Sequence, residues 1–159
     1  MADATQQEAQ WSPPGLANSL GATYAHIIIS EDGTVNGLLK GRAPLFAGDW
    51  AGKVGVSELP PMAKPNSPGF PDWSGWSRRV KVDLAKMREY AKAVYSATEA
   101  YLDSLTDDDL SRPVSLAALG LGESTVGYVL TNGLLGHVFS HTGEISCLKG
   151  LQGKRGYPV

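Results

Sequence analysis

Three histidines are the residues of this 159-residue chain whose type and spacing best suit chemistry: His26, His137 and His141. His137 and His141 are four residues apart, which in an α-helix places both imidazoles on one face, one turn from each other. Two imidazoles in that arrangement can bind one metal ion. His26 lies in a separate predicted helix, so it would supply a third ligand if the two helices pack together.

Both histidine-bearing helices are expected to turn these residues inward. The pair shares its face with Leu130, Leu134 and Leu148, and small or hydroxylic residues typical of a polar pocket flank His26: Ser19, Thr23, Ser30, Gly33 and Gly37. A buried polar group without a hydrogen bond costs roughly 1–3 kcal/mol. One shared metal ion would satisfy all three rings, and the alternative is three core histidines that are each hydrogen-bonded separately.

Two carboxylates and one thiol lie close to the histidines in the sequence. Glu144 follows His141 by one helical turn and Glu31 follows His26, so each is a candidate general base, but a glutamate so placed can equally orient a ligating histidine. An exposed or helix-pairing role is favoured over either of these. Cys147 is about 80° away from the histidine face on a helical projection. We therefore expect Cys147 to pack rather than to act as a nucleophile or ligand.

The elements that must position these residues are predicted to be helices. Apolar residues recur at spacings of three and four over residues 16–39, 83–104 and 124–150, with Asp83 and Ser124 as candidate N-caps. The run Ile27-Ile28-Ile29 would also suit a buried strand. Residues 114–122 would suit a strand or an extended connection and are interpreted as a connection. Residues 3–11 can supply at most a short first helix. The pattern predicts one all-α bundle domain over residues 1–159.

Glycines interrupt the last predicted helix at four positions, Gly127, Gly133, Gly136 and Gly143. Each costs up to about 1 kcal/mol relative to alanine within a helix. Their presence therefore suggests close approach of a neighbouring helix or of bound material.

A long connection with no regular structure is predicted between the helices at 16–39 and 83–104, over about residues 42–81. Five of the ten prolines lie between Pro60 and Pro71, and Trp50, Trp73 and Trp76 flank that stretch. Because tryptophan buries a large area, we expect this loop to fold back over one end of the domain or against a second subunit.

Composition excludes several classes of protein. The formal charge of −2 and the pI of about 5.9 argue against nucleic-acid binding, because such surfaces carry basic patches. A single cysteine predicts a reducing compartment. The sequence has neither a secretory leader nor a run of 18 apolar residues, so we expect a cytoplasmic protein without membrane contact.

The histidine segments resemble the DinB-like superfamily, also called the DinB/YfiT group. The resemblance rests on Tyr24-Ala25-His26, on Asn18-Ser19-Leu20-Gly21, and on the run from Gly136 to Ile145 that contains both later histidines, and it covers residues 11–156. It implies a four-helix bundle with a long loop between the second and third helices. It also implies a divalent metal site formed by His26, His137 and His141.

What the resemblance implies about activity is thiol chemistry. Relatives include a maleylpyruvate isomerase and bacillithiol or mycothiol S-transferases, so we expect a metal-dependent thiol S-transferase or isomerase. Zinc or nickel would be the metal, and a low-molecular-weight thiol would be the small-molecule cosubstrate. The alternative is a non-catalytic metal-binding or stress-response protein, and hydrolysis by metal-bound water is a third possibility.

One departure from the family pattern concerns the first helix. Family members generally have several helical turns before the position of Pro13, and this chain has only about a dozen residues there. A short or missing first helix would leave an apolar groove on the bundle. We therefore expect a homodimer in which the Trp-rich loop or the N-terminal segment of one chain covers the groove of the other.

Overall fold

The computed structural model describes residues 1–62, 69 and 71–156 and forms a mainly helical domain. In chain order the helices are α1 (Gln6–Gln10), α2 (Leu20–Asp32), α3 (Ser74–Arg79), α4 (Leu84–Leu102), α5 (Val126–Tyr128) and α6 (His137–Leu151). A π-helical segment, Gly33–Leu39, continues α2, and a second one, Val129–Gly136, joins α5 to α6. Short 3₁₀ turns occupy Leu45–Ala47, Asp108–Ser111 and Ala117–Leu119.

Side-chain caps fix where the long helices begin. Asp83 caps α4 as predicted, its Oδ1 accepting from the Lys86 N–H at 3.2 Å. The helix predicted from Leu16 begins instead at Leu20, because the Ser19 side chain accepts from the Ala22 N–H at 3.2 Å. The run Ile27-Ile28-Ile29 lies within α2 and is therefore helical.

The interpretation of residues 114–122 as a connection was wrong at its start, where Val114 and Ser115 belong to a strand. Strand β1 (Pro113–Ser115) pairs antiparallel with β2 (Glu123–Thr125), and Gly120 adopts a left-handed conformation in the turn between them. Because Ser124 belongs to β2, the cap of the last helical segment is Thr125 rather than Ser124. Strands of three residues are too short to show a periodic pattern in the sequence.

The Trp-rich loop folds back over its own chain. Val56 forms a bridge with Val82, and the buried Trp76 of α3 donates from Nε1 to the Glu58 carbonyl at 2.9 Å. The loop therefore contains α3 and the Leu45–Ala47 turn, contrary to the prediction that it has no regular structure. Residues 63–68 and 70 of the predicted loop lie outside the described residues.

The N-terminal segment also packs within the chain. Thr5 and Glu8 form a reciprocal capping box that begins α1. A Cβ built on Gly21 would lie 2.8 Å from the Ala9 carbonyl oxygen, so glycine permits the close approach of α1 to α2. The predicted short first helix is thus present. Within the described residues, both segments that were expected to cover a second protomer pack against their own chain.

Helix α2 is almost completely buried among α1, α4 and α6. At its end, the buried Asp32 accepts four hydrogen bonds: from the side chains of Asn36 (2.8 Å) and Tyr90 (2.6 Å) and from the backbone N–H groups of Leu45 (3.0 Å) and Phe46 (3.1 Å). This carboxylate ties the start of the long loop to α2 and α4. Within the described residues, no helix is both long and apolar enough to cross a membrane.

Candidate metal centre

Packing of α6 against α2 brings the three histidines together. One ring nitrogen from each of His26, His137 and His141 can be chosen so that all three lie within 4.8 Å of one another. The Nε2 atoms of His26 and His137 are 2.8 Å apart. The ring centroid of His141 lies 4.8 Å from that of His26 and 4.5 Å from that of His137. The structure therefore places all three predicted site residues in one cluster.

The local backbone explains the position of the pair. His137 begins α6 directly after the π-helical segment Val129–Gly136, and His141 follows it by one regular turn. A π-helix has more residues per turn than an α-helix. The side chains before the segment are therefore rotated about the helix axis relative to His137 and His141. Leu130 and Leu134 remain buried within the segment, while His137 and His141 face α2.

Glu144 orients the ring of His141. Its Oε2 lies 2.7 Å from the Nδ1 of His141, which donates to the carboxylate in the neutral ring. The proton is then on Nδ1, and the lone pair of Nε2 is free to bind a metal. Of the roles considered for Glu144 from the sequence, the geometry matches the orienting one, and the side chain is also half exposed.

The cluster has dimensions close to those of a three-imidazole zinc site. Zinc–nitrogen bonds of about 2.0–2.1 Å at tetrahedral angles hold ligand nitrogens about 3.3 Å apart. The Nε2 atoms of His26 and His137 are 2.8 Å apart, and every pair of ring nitrogens in the chosen set lies within 4.8 Å. Small ring rotations would equalise these separations. The 2.8 Å distance also suits a direct N–H···N hydrogen bond. Without a metal ion, His26 and His137 can therefore bind each other.

Two of the rings are held in the neutral form that a metal requires. Burial lowers the pKa of His26 to about 3, and the neighbouring His137 and His141 add to this effect. Burial also lowers the pKa of His137 to about 4, with His141 contributing and Glu144 opposing. At neutral pH both rings can therefore bind a cation without first releasing a proton.

Trp73 from the long loop completes one wall of the cluster. Its indole ring contacts the His26 ring edge to face, with centroids 4.4 Å apart, and its Nε1 donates to the Pro61 carbonyl at 2.7 Å. The sequence indicated that this aromatic residue belongs to a folded loop but did not assign it to the site. The clustering of tryptophans beside Pro71 was the signal available in the sequence for a functional role of Trp73. The contact between Trp73 and His26 depends on the path of the loop, which the sequence does not show.

Other residues considered from the sequence lie outside the cluster or have other partners. Glu31 is buried and accepts from the Thr98 hydroxyl at 2.7 Å, so it has a structural role. Cys147 is exposed, and the expectation that it packs was wrong. Thr23, one turn before His26, is buried, and its Oγ1 has no hydrogen-bond partner among the described residues.

Comparison with known proteins identifies the family. The sequence model of the DinB superfamily matches residues 1–145, so the chain belongs to this superfamily. A crystal structure of a conserved protein from Enterococcus faecalis is similar in fold, with a TM-score of 0.74 and 20% sequence identity over 96% of this chain and 86% of that one. No curated protein matches this chain. The resemblance and the all-α bundle expected from the sequence are both confirmed.

Proposed function

We propose that this protein binds one divalent metal ion through His26, His137 and His141. The observation that carries the proposal is the convergence of three imidazole nitrogens within 4.8 Å, from residues that are far apart in the chain. Two of these rings are neutral at physiological pH because burial lowers their pKa values. The hydrogen bond from His141 to Glu144 supplies the outer partner that metal-binding histidines commonly have.

Imidazole ligands favour zinc or nickel. Three protein ligands leave a coordination position for a small molecule, and a divalent ion there lowers the pKa of a bound thiol or water. The chain's own residues would hold and shape that position. All three rings are partly exposed, which leaves a route from solvent, and the Trp73 indole restricts the approach beside His26.

The activity we propose is transfer or isomerisation with a low-molecular-weight thiol, in the cytoplasm. The support is the convergence of three imidazoles together with family membership. The second candidate is a non-catalytic metal-binding or stress-response protein. The short contact between His26 and His137 favours its metal-free form, since a hydrogen bond alone can satisfy that pair.

Metal content tests the first part of the proposal. The protein is purified without a metal-affinity tag and analysed by elemental mass spectrometry beside His26→Ala, His137→Ala and Cys147→Ser variants. We expect about one equivalent of zinc or nickel in the wild type and in Cys147→Ser, and none in either histidine variant. An absence of metal in wild-type protein after incubation with zinc and nickel would contradict the site.

Thiol chemistry is tested on protein loaded with the metal that it binds. Glutathione, bacillithiol and mycothiol are each offered with an electrophile, and loss of the free thiol is followed. Dependence of the reaction on both the metal and His141 would support the enzyme. A metal-loaded protein with no effect on any thiol would favour the non-catalytic alternative.

A duplex DNA titration at physiological salt should give no binding, given the negative net charge.

A further inference from the structure

A depression beside α4 lies apart from the histidine cluster. It has a volume of about 640 Å³ and lies between residues 50–53 of the long loop and residues 85–92 of α4. None of the three histidines lines it. Pockets that bind small molecules have volumes of about 300–1,000 Å³. The depression is therefore large enough for one small organic ligand, and we call it the α4 pocket.

The loop wall of the α4 pocket is held at both ends. Before the wall, the buried Asp32 accepts from the backbone N–H groups of Leu45 and Phe46. After the wall, Gly55 has a φ of +88°, and a Cβ built on it would lie 2.6 Å from the backbone nitrogen of Met87. Glycine therefore lets the loop lie directly against the backbone of α4. The wall is pre-formed, as the walls of small-molecule sites usually are.

The α4 pocket is positively charged in a chain that is acidic overall. Four cationic side chains and one acidic side chain, that of Glu89, line the pocket, whereas the whole chain has a formal charge of −2. Lys86 is paired with Asp83 at 3.5 Å, and Lys92 is paired with Glu89 at 2.8 Å. These two lysines therefore contribute little net charge. The positive charge that remains comes from the other two cations.

Those two cations, Lys53 and Arg88, have no carboxylate partner within the part of the chain that the structure describes. The Nζ of Lys53 donates to the Asp49 carbonyl at 3.2 Å. The guanidinium of Arg88 donates through Nη2 to three backbone carbonyls of the N-terminal segment, at 2.6–3.2 Å, and its buried Nε has no hydrogen-bond partner among the described residues. Carbonyl groups carry no net charge, and a partly buried cation without a counter-ion is unfavourable. The pocket thus offers two positive charges to an anion.

Trp50 gives the α4 pocket a planar aromatic wall. Its indole is partly buried and packs against Tyr90, with ring centroids 5.6 Å apart, and it also lines the pocket. Aromatic rings favour a second planar group in an offset-stacked arrangement. A ligand that carries a planar ring beside its charged group would therefore use both features of the pocket.

We propose that the α4 pocket binds a phosphate monoester of a planar heterocycle, which is the chemistry of a mononucleotide. The phosphate group of such a ligand carries a charge of about −1.5 to −2 at neutral pH, which matches the two unpaired cations, Lys53 and Arg88. A carboxylate, with a single charge, would neutralise only one of them. The heterocycle lies against Trp50. The pocket is separate from the proposed metal centre, so neither proposal depends on the other.

Calorimetric titration of the full chain with AMP, inorganic phosphate and adenosine tests the ligand class. We expect AMP to bind about 10-fold more tightly than inorganic phosphate, because only AMP can stack on Trp50. Adenosine lacks the charged group and should bind at least about 10-fold more weakly than AMP. No binding of AMP at about 1 mM ligand would overturn the proposal. Equal affinities for AMP and for either of the other two compounds would also overturn it.

Single substitutions test whether the ligand occupies the α4 pocket. Lys53→Glu should weaken the binding of AMP and of phosphate by about 10-fold or more, because it replaces a counter-charge with a carboxylate. Lys81→Glu is the matched control, since Lys81 is also exposed, lies outside the pocket and gives the same change in net charge. A Lys81→Glu variant that loses as much affinity as Lys53→Glu would overturn the assignment.

Trp50→Leu tests the aromatic wall. It should lower the affinity for AMP to about that for phosphate while the affinity for phosphate stays unchanged, because only the ring of AMP contacts the indole. An unchanged affinity for AMP in folded Trp50→Leu would overturn the proposed ligand class. Because Lys53 is exposed, the test with Lys53→Glu remains valid even if Trp50→Leu fails to fold.

A phosphate group can also bind a metal ion at the three histidines, so the titrations are repeated with His137→Ala. We expect the affinity for AMP to be unchanged in His137→Ala and the metal content to be unchanged in Lys53→Glu. Loss of AMP binding in His137→Ala, with retention in Lys53→Glu, would assign the ligand to the metal centre and overturn the inference. Failure of the α4 pocket and failure of the proposed metal site are therefore distinguishable.

Discussion

The hydrogen bond between Glu144 and His141 allows a graded test of the metal centre. The carboxylate oxygen is 2.7 Å from Nδ1, with His141 only 20% exposed and Glu144 51% exposed. Removing such an outer partner typically weakens metal binding by 10–100-fold. Because water can replace the exposed carboxylate in part, we expect the lower end, about 10-fold for Glu144→Ala, which corresponds to about 1.4 kcal/mol.

Glu144→Gln should weaken metal binding less than Glu144→Ala does. The amide oxygen can still accept from Nδ1, and a neutral acceptor makes a bond about half as strong as a charged one. We therefore expect a loss of about threefold for Gln, against complete loss of the site for His141→Ala. Zinc affinity is measured by competition with a chromophoric chelator, and Glu99→Ala on the exposed surface of α4 is the matched control.

The four variants are expected to bind zinc with affinities that increase in the order His141→Ala, Glu144→Ala, Glu144→Gln and Glu99→Ala. If Glu144→Ala binds zinc within twofold of the wild type, Glu144 does not orient a ligand. If Glu99→Ala weakens binding as much as Glu144→Ala does, the effect is one of net charge.

Further predictions concern stability and the loop. Asp32→Asn should lower the free energy of unfolding by about 3 kcal/mol or more, and Tyr90→Phe by about 1–2 kcal/mol, measured by urea denaturation. Burial raises the pKa of Glu31, and Asp32 raises it further, so ionisation destabilises the folded state as the pH rises; Glu31→Gln should be more stable than the wild type at pH 7 and not at pH 4. Because Trp73 contacts His26, zinc should change tryptophan fluorescence, and Trp73→Phe should remove that change while binding persists.

Each of these predictions has an outcome that contradicts it. An Asp32→Asn variant as stable as Tyr90→Phe would mean that the remaining three hydrogen bonds contribute nothing. Stability of Glu31→Gln that parallels the wild type at both pH values would mean that Glu31 does not titrate with folding. A fluorescence change that survives in Trp73→Phe would assign the signal to another tryptophan.

The helical class and the histidine pair were predictable because both depend on local spacing. Residues 84–102 follow their apolar period closely, and α4 is found there with its predicted cap at Asp83. The spacing of four between His137 and His141 is likewise a property of a single turn. The small and hydroxylic residues around His26 made it a candidate third ligand, and the resemblance to a family implied that it lies beside the pair. The sequence between residues 26 and 137 contains no local signal for that contact.

The deviations arose where interactions distant in sequence compete with local preference. The hairpin of β1 and β2 is too short to create a pattern, and the π-helical segments around Asn36 and Asn132 have no periodicity of their own. The exposure of Cys147 depends on how α6 is rotated against α2. That rotation is set by the packing of Ile145 and Leu148 against the core, which a helical projection of one element does not contain.

Local sequence patterns specify which residues are available to the site and on which elements they lie, because helix periodicity and caps are local properties. Tertiary structure decided which of them meet. It brought His26 to the pair, placed Trp73 against His26, turned Glu144 toward Nδ1 of His141 and directed Glu31 to Thr98. The physical reason is that each of these contacts depends on the relative rotation and path of separate elements, which are fixed only when the whole core packs.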